Sequence, residues 1–66
     1  MVVEINGKSE EISGSVVLDA LKAKQIDAQM VAVELNDELI ERDHLGSTPL
    51  KAGDRLEFLF YMGGGR

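Results

Sequence analysis

Apolar and polar residues alternate in short runs along this chain, and the alternation is interrupted once, between residues 16 and 25. Val2 to Ile5 predicts a first strand, and the Asn6-Gly7 pair that follows is a strong two-residue hairpin signal. Lys8 to Ile12 predicts the return strand, whose polar residues indicate an exposed sheet edge. The chain therefore begins with a β-hairpin.

The interruption predicts a helix. From Val16 to Gln25 the apolar spacing changes to three and four residues, and Val17, Leu18 and Leu21 share one face of the predicted helix. Ser13-Gly14-Ser15 breaks the preceding strand pattern and offers an N-cap.

The second half of the chain returns to short apolar runs separated by turn residues. The predicted elements are a connection at 26–29, a strand at 30–35, a tight turn at Asn36-Asp37, a short strand at 38–40, a polar loop at 42–48, a turn at 51–54 and a last strand at 55–61. Leu56, Phe58 and Phe60 point to one face of the last strand, and Glu57, Leu59 and Tyr61 point to the other.

This order of elements predicts an α+β domain in which a small mixed sheet of four to five strands packs on one helix. The arrangement is the β-grasp, or ubiquitin-like, fold, with the first and last strands adjacent and parallel. We expect residues 1–61 to form this domain and residues 62–66 to form a flexible glycine-rich tail leaving a central strand.

Composition excludes several classes of function. The 66 residues include no cysteine and one histidine, which excludes disulfides and disfavours a zinc site. A net charge of −5 disfavours nucleic-acid binding and favours electropositive protein partners. No signal peptide and no apolar stretch of roughly 20 residues is visible, so we expect a soluble cytoplasmic protein without membrane association.

The tail Met62-Gly63-Gly64-Gly65-Arg66 adds nothing to a core, since glycine packs no side chain and loses much backbone entropy on ordering. One interpretation is a frayed end or an addition from cloning. The other is a slender extension that places a carboxylate inside a narrow channel of a partner protein. In extended form the five residues from Tyr61 to Gly65 span at most roughly 17 Å.

The chain resembles the ThiS-type sulfur carrier proteins of thiamine biosynthesis. The resemblance rests on Asn6-Gly7-Lys8, on residues 33–40 (VELNDELI), on residues 48–56 (TPLKAGDRL) and on the terminal glycines. Each motif is common alone, but their order, spacing and placement before a glycine terminus form a specific combination over essentially the whole chain.

The resemblance implies a carrier, and not an enzyme. In that family an E1-like (ThiF-like) enzyme uses ATP to adenylate the terminal glycine, and sulfur from a persulfide donor then replaces AMP. Thiazole synthase (ThiG-like) accepts the sulfur from the resulting thiocarboxylate. On this resemblance Gly65 bears the activated carbonyl, Gly63 and Gly64 form the tail, and no cofactor is bound by the chain itself.

Other interpretations remain open. Related carriers serve molybdopterin, methionine or cysteine synthesis and tRNA thiolation. A ubiquitin-like modifier would instead form an isopeptide bond, and a plain interaction module would use the sheet surface and not the tail.

Arg66 departs from the family pattern, in which the chain ends at glycine. Three explanations compete: a protease removes Arg66, Arg66 is an addition from cloning, or the protein is no longer used as a carrier. We favour processing.

Leu59, Phe60, Tyr61 and Met62 form a candidate partner-binding patch, because exposed aromatic residues and methionine suit interfaces. The alternative is a central strand covered on both faces.

The remaining polar groups indicate no catalytic site. His44 lacks a nucleophile or a convergent pocket and is better explained as a solvated loop residue. Glu10-Glu11 and the pair Glu38 and Glu41 are better explained as solvated strand edges than as acid–base pairs. No phosphate-binding loop precedes a helix.

Overall fold

The computed structural model describes residues 1–61. Its elements are β1 (Val2–Ile5), β2 (Lys8–Glu11), α1 (Val17–Ala23), β3 (Val31–Leu35), β4 (Glu38–Ile40) and β5 (Arg55–Phe60), with 3-10 turns at Ala28–Met30 and Arg42–His44. Within residues 1–61, none of the helices has the length and apolar character needed to cross a bilayer.

The five strands form one mixed sheet in the order β2-β1-β5-β3-β4. β1 and β5 are parallel, with Glu4 opposite Arg55, and the other neighbouring strands are antiparallel. The predicted β-grasp is therefore confirmed, including the parallel first and last strands and the central position of the last strand.

The core lies between α1 and one face of the sheet. Its largest fully buried side chains are Leu21, Leu56, Val3, Val17 and Val33, which come from the helix and from three different strands. Burial of such side chains stabilises a fold by about 1.5–3 kcal/mol each, and this apolar layer holds the helix on the sheet.

The segment predicted as a polar loop also contributes to the core. Leu45, within residues 42–48, is 2% exposed, and its carbonyl accepts a hydrogen bond from the Leu18 N–H at 2.9 Å. A single apolar residue in a polar run has no periodic signal, so its burial could not be predicted.

The predicted serine N-cap is wrong, and so are the helix boundaries. Val16 is the N-cap residue of α1, and its extended backbone pairs with Pro49. The cap comes from Asp19 inside the first turn, whose Oδ2 accepts the N–H groups of Ser15 at 2.8 Å and Val16 at 3.1 Å. These two hydrogen bonds lower the pKa of Asp19.

The Asn6-Gly7 turn is confirmed, and Asn6 has a second role. Both residues have positive φ values, 49° and 85°, which two-residue hairpins of this kind require. The Asn6 side chain also accepts the Phe58 N–H through Oδ1 at 2.8 Å, and its Nδ2 donates to the Phe58 carbonyl at 3.4 Å. The Asn6 side chain thereby takes the place of a strand beside Phe58, because β1 ends at Ile5 and its backbone does not reach that part of β5.

A buried carboxylate fixes the start of β5. Asp54 is 6% exposed and accepts hydrogen bonds from the Lys51 N–H at 2.8 Å and from the Asn36 Nδ2 at 3.1 Å. Burial raises the pKa of Asp54, but the bonds from Lys51 and Asn36 outweigh burial and hold it below its ordinary value. The Asn36 Oδ1 accepts the Arg55 N–H at 2.9 Å, so one turn residue holds both sides of the junction.

Candidate functional site: the tail-bearing end of the sheet

Strands β3 and β5 extend past their outer neighbours at the end where the tail begins. Their ladder includes Ala32 opposite Leu59 and Val31 opposite Phe60, and the Tyr61 N–H continues it by donating to the Met30 carbonyl at 3.1 Å. On the other sides, β1 pairs with only the first two residues of β5, and β4 pairs with only residues 33–35 of β3. We call the two-stranded extension, residues 30–32 with 59–61, the central ribbon.

The central ribbon exposes apolar side chains on both of its faces. Leu59 and Tyr61 are 48% and 53% exposed on the outer face, away from α1. Phe60 lies on the same face as the buried Leu56 and Phe58 but is 56% exposed. The alternation in β5 therefore continues to Phe60 while burial stops at Phe58, even though Val31, directly opposite Phe60 on β3, is buried.

The alternative of a strand covered on both faces is thereby not supported for residues 59–61, all of which are exposed. Their role in partner binding stays a prediction. The other tail predictions, on Met62, Gly63, Gly64, Gly65 and Arg66, lie outside the described residues.

The outer face of the sheet divides into an apolar end and an acidic end. Leu59 and Tyr61 lie toward the tail, whereas Glu57 and its cross-strand partner Glu34 lie toward the start of β5. The Arg55 guanidinium, near these carboxylates, makes an ion pair with the Asp37 Oδ2 at 3.0 Å, and this hydrogen bond raises the pKa of Arg55. A partner with an apolar patch beside a basic one would match this face.

Glu41 lines a groove together with Tyr61 of the central ribbon, and the other polar groups considered above belong to other parts of the fold. Glu10 makes a salt bridge with Lys24, and Glu11 makes one with the N-terminal ammonium of Met1, each at 2.7 Å. His44 is exposed in the 3-10 turn at Arg42–His44. Glu38 and Glu41 are also exposed. Among residues 1–61, no three His, Asp or Glu side chains are placed to hold a metal ion.

A groove beside β4 was missed by the sequence reasoning. It has a volume of about 270 Å³ and its lining includes Val31, Leu39, Ile40, Leu45 and Tyr61. Residues from three separate segments meet there because β4 is two residues shorter than β3. The only available sequence signal was the brevity of the predicted strand at 38–40.

Comparison with known proteins agrees with this architecture. The ThiS family profile matches residues 2–65. The crystal structure of a thiamine biosynthesis protein (ThiS) from Geobacter metallireducens is 42% identical, with a TM-score of 0.82 over 98% of this chain and 100% of that one. A solution NMR structure of a thiamine biosynthesis protein from the same organism is 41% identical, with a TM-score of 0.78 over 100% of this chain and 90% of that one.

A curated relative differs in length. A thiazole synthase of Paramagnetospirillum magneticum, strain ATCC 700264 / AMB-1, is 33% identical over 66 residues, which cover 98% of this chain and 20% of the relative. The chain thus spans about a fifth of that protein.

A five-stranded β-grasp sheet that ends in an apolar central ribbon defines a protein of the ubiquitin-like fold class. Within that class, the chain belongs to the ThiS family of sulfur carriers.

Proposed function

We propose that this chain carries sulfur as a thiocarboxylate on Gly65 and donates it for thiazole formation in thiamine biosynthesis. The observation that carries the proposal is the run Gly63-Gly64-Gly65, which begins two residues after the last residue of the central ribbon in a ThiS-family domain. A glycine run can follow a restricted path where a β-carbon would clash. The likeness to two thiamine biosynthesis proteins supports the choice of pathway.

The chemistry is supplied by partners. A carboxylate is a poor electrophile, so a ThiF-like E1 enzyme transfers AMP from ATP to Gly65 and releases pyrophosphate. The terminal sulfur of a persulfide donor then attacks the carbonyl carbon and displaces AMP, which gives an acyl disulfide. A thiol cleaves the S–S bond of that intermediate, which leaves the thiocarboxylate on Gly65 and a disulfide on the donor side. The chain contributes the carboxylate, a glycine tail without side chains and the docking surface, and it acts as a cosubstrate. Because the sulfur resides on the terminal carbonyl, the chemistry requires no cysteine, and the sequence contains none.

A ThiG-like thiazole synthase is the proposed sulfur acceptor. The relative from Paramagnetospirillum magneticum bears the name thiazole synthase and contains a segment similar to nearly all of this chain. Domains that are joined in one polypeptide in one organism commonly interact as separate proteins in another. The joined arrangement in this relative supports binding between this chain and a separate thiazole synthase.

Arg66 follows Gly65 in the sequence, so the proposal includes hydrolysis of the Gly65–Arg66 peptide bond by a carboxypeptidase-type protease. This step frees the Gly65 carboxylate for adenylation.

The assay for the carrier function compares the chain before and after removal of Arg66. With the cognate adenylating enzyme, ATP, a persulfide donor and a thiol reductant, the chain ending at Gly65 should gain the mass of one oxygen-to-sulfur exchange, read by intact-protein mass spectrometry. The chain retaining Arg66 should gain none, because its glycine carbonyl is held in a peptide bond. Failure of the trimmed chain to gain sulfur would contradict the carrier proposal, and sulfur on the untrimmed chain would contradict the processing step.

Leu59 should contribute directly to partner docking. Because its side chain is 48% exposed on the outer face, Leu59→Asp should weaken binding to the adenylating enzyme by about tenfold to a hundredfold, measured by isothermal titration calorimetry. The matched control is Val2→Asp, which changes an apolar residue that is 50% exposed on the same face at the opposite end of the sheet. Equal losses in the two variants would show that docking does not use the apolar end.

A further inference from the structure

The groove beside β4 contains an unpaired stretch of sheet edge. In the β3–β5 ladder, the Met30 carbonyl accepts the Tyr61 N–H and the Asn36 N–H donates to the Arg55 carbonyl. Even-numbered residues of β3 therefore direct their backbone groups toward β5, and odd-numbered residues direct theirs toward β4. Val31 is odd-numbered, so its N–H and C=O point toward the β4 side.

Strand β4 does not reach Val31. Its ladder ends where Ile40 pairs with Val33, and the chain then turns into the 3-10 segment Arg42–His44. Among the described residues, no backbone hydrogen bond connects Val31 to this segment. The Val31 N–H and C=O thus have no backbone partner on the β4 side, where Val31, itself only 4% exposed, forms part of the wall of the groove. An added strand would satisfy these two groups.

The groove beside this edge has an apolar lining that suits a side chain. Its apolar surface comes from Val31, Leu39, Ile40, Leu45 and Tyr61, and the charged residues Glu41 and Arg42 also belong to the lining. Its volume of about 270 Å³ lies below the range typical of pockets for drug-sized ligands, about 300–1,000 Å³. One or two apolar side chains of an extended peptide are a closer match in size and polarity.

The residues that border the groove carry a net negative charge, which favours a positively charged partner segment. The segment that borders the groove carries three acidic residues, Glu38, Glu41 and Asp43, and only one basic residue, Arg42. None of the three acidic residues makes a salt bridge with another described residue. The Arg42 Nε donates to the Ala28 carbonyl at 3.3 Å, which ties this cation to the 3-10 turn that precedes β3. A matching segment carries basic residues on either side of its apolar residue.

We propose that the groove is a β-augmentation site for an extended partner segment in which an apolar residue is flanked by lysine or arginine. The segment continues the line of β4, pairs with the Val31 N–H and C=O, and inserts its apolar side chain between Ile40 and Tyr61. The site lies beside the start of the tail but does not require the tail to react.

The test is an NMR titration of the full-length ¹⁵N-labelled chain with a blocked heptapeptide, Lys-Lys-Val-Leu-Val-Lys-Lys. We expect saturable shifts centred on Val31 and Ile40, with slower amide exchange at Val31. A peptide N-methylated at alternate positions, which lacks the edge hydrogen bonds, should bind about tenfold more weakly. A peptide with glutamate in place of lysine should also bind more weakly, and the difference should shrink as salt screens the charges.

Two variants locate the site on the protein. Leu39→Lys, at a residue that is 62% exposed, should weaken peptide binding at least about fivefold through a repulsive charge at the groove. Val2→Lys, at a residue that is 50% exposed and far from the groove, should change it less than twofold.

Three results would overturn the inference: no saturable shift at Val31, equal binding of the N-methylated peptide, or equal losses in the two variants. The titration contains no adenylating enzyme, so a failed carrier assay and a failed titration are separate outcomes.

Discussion

Replacing Gly64 by alanine should reduce the rate of thiocarboxylate formation at Gly65 by about a hundredfold. A β-carbon at the penultimate position of the trimmed chain would widen the part of the tail that we propose enters the adenylation site. Displacement of a reacting group by about 1 Å can cost about a hundredfold in rate. The measurement is the rate of sulfur gain by the chain ending at Gly65, followed by mass spectrometry with saturating ATP.

The matched control for this variant is Gly46→Ala in the same trimmed chain. A β-carbon at Gly46 would meet the Leu18 Cδ2 at 3.6 Å, an ordinary contact, and the backbone there is not in the left-handed region. Sulfur gain in this control should be unchanged. If Gly64→Ala reacts as fast as the control, the slender tail is not the reason for the glycine run.

Phe58→Ala should lower the free energy of unfolding by about 3–5 kcal/mol, enough to unfold a large fraction of the protein. Phe58 is 4% exposed in the central strand, so its loss leaves a cavity between α1 and the sheet. A domain of this size buries only about 60% of its unfolded surface and has little stability to lose. Urea denaturation followed by circular dichroism measures the change.

Phe60→Ala is the control, because it removes the same side chain from the same strand and face two residues later. Phe60 is 56% exposed, so its truncation should cost less than about 1 kcal/mol. Comparable destabilisation by both variants would mean that the core extends to the end of β5, and that the central ribbon is not an exposed surface.

The contrast between these two phenylalanines shows where sequence reasoning about burial reaches its limit. Alternation in the last strand places Leu56, Phe58 and Phe60 on one face, and that assignment agrees with the structure. Whether a residue on that face is buried depends on what packs above it, and Phe60 is exposed although its cross-strand partner Val31 is buried. Periodicity reports the face of a strand and does not report the reach of the element packed against it.

The helix start shows a similar limit at close range. The serines at 13 and 15 have the right chemistry for an N-cap, but Val16 is held in an extended conformation by its pairing with Pro49. That contact involves residues distant in sequence, so local reasoning could not find it. The N–H groups of Ser15 and Val16 are capped by the carboxylate of Asp19 and not by a serine hydroxyl.

By itself the sequence determined the order of the strands and the helix, the two turns at Asn6-Gly7 and Asn36-Asp37, and the glycine run. These depend on local periodicity and on the backbone preferences of single residues. Only the tertiary structure decided that β3 and β5 extend beyond their neighbours, that Leu45 enters the core, and that Val31 has an open edge beside a groove. Those features depend on where neighbouring strands and the helix end in space, which no local pattern records.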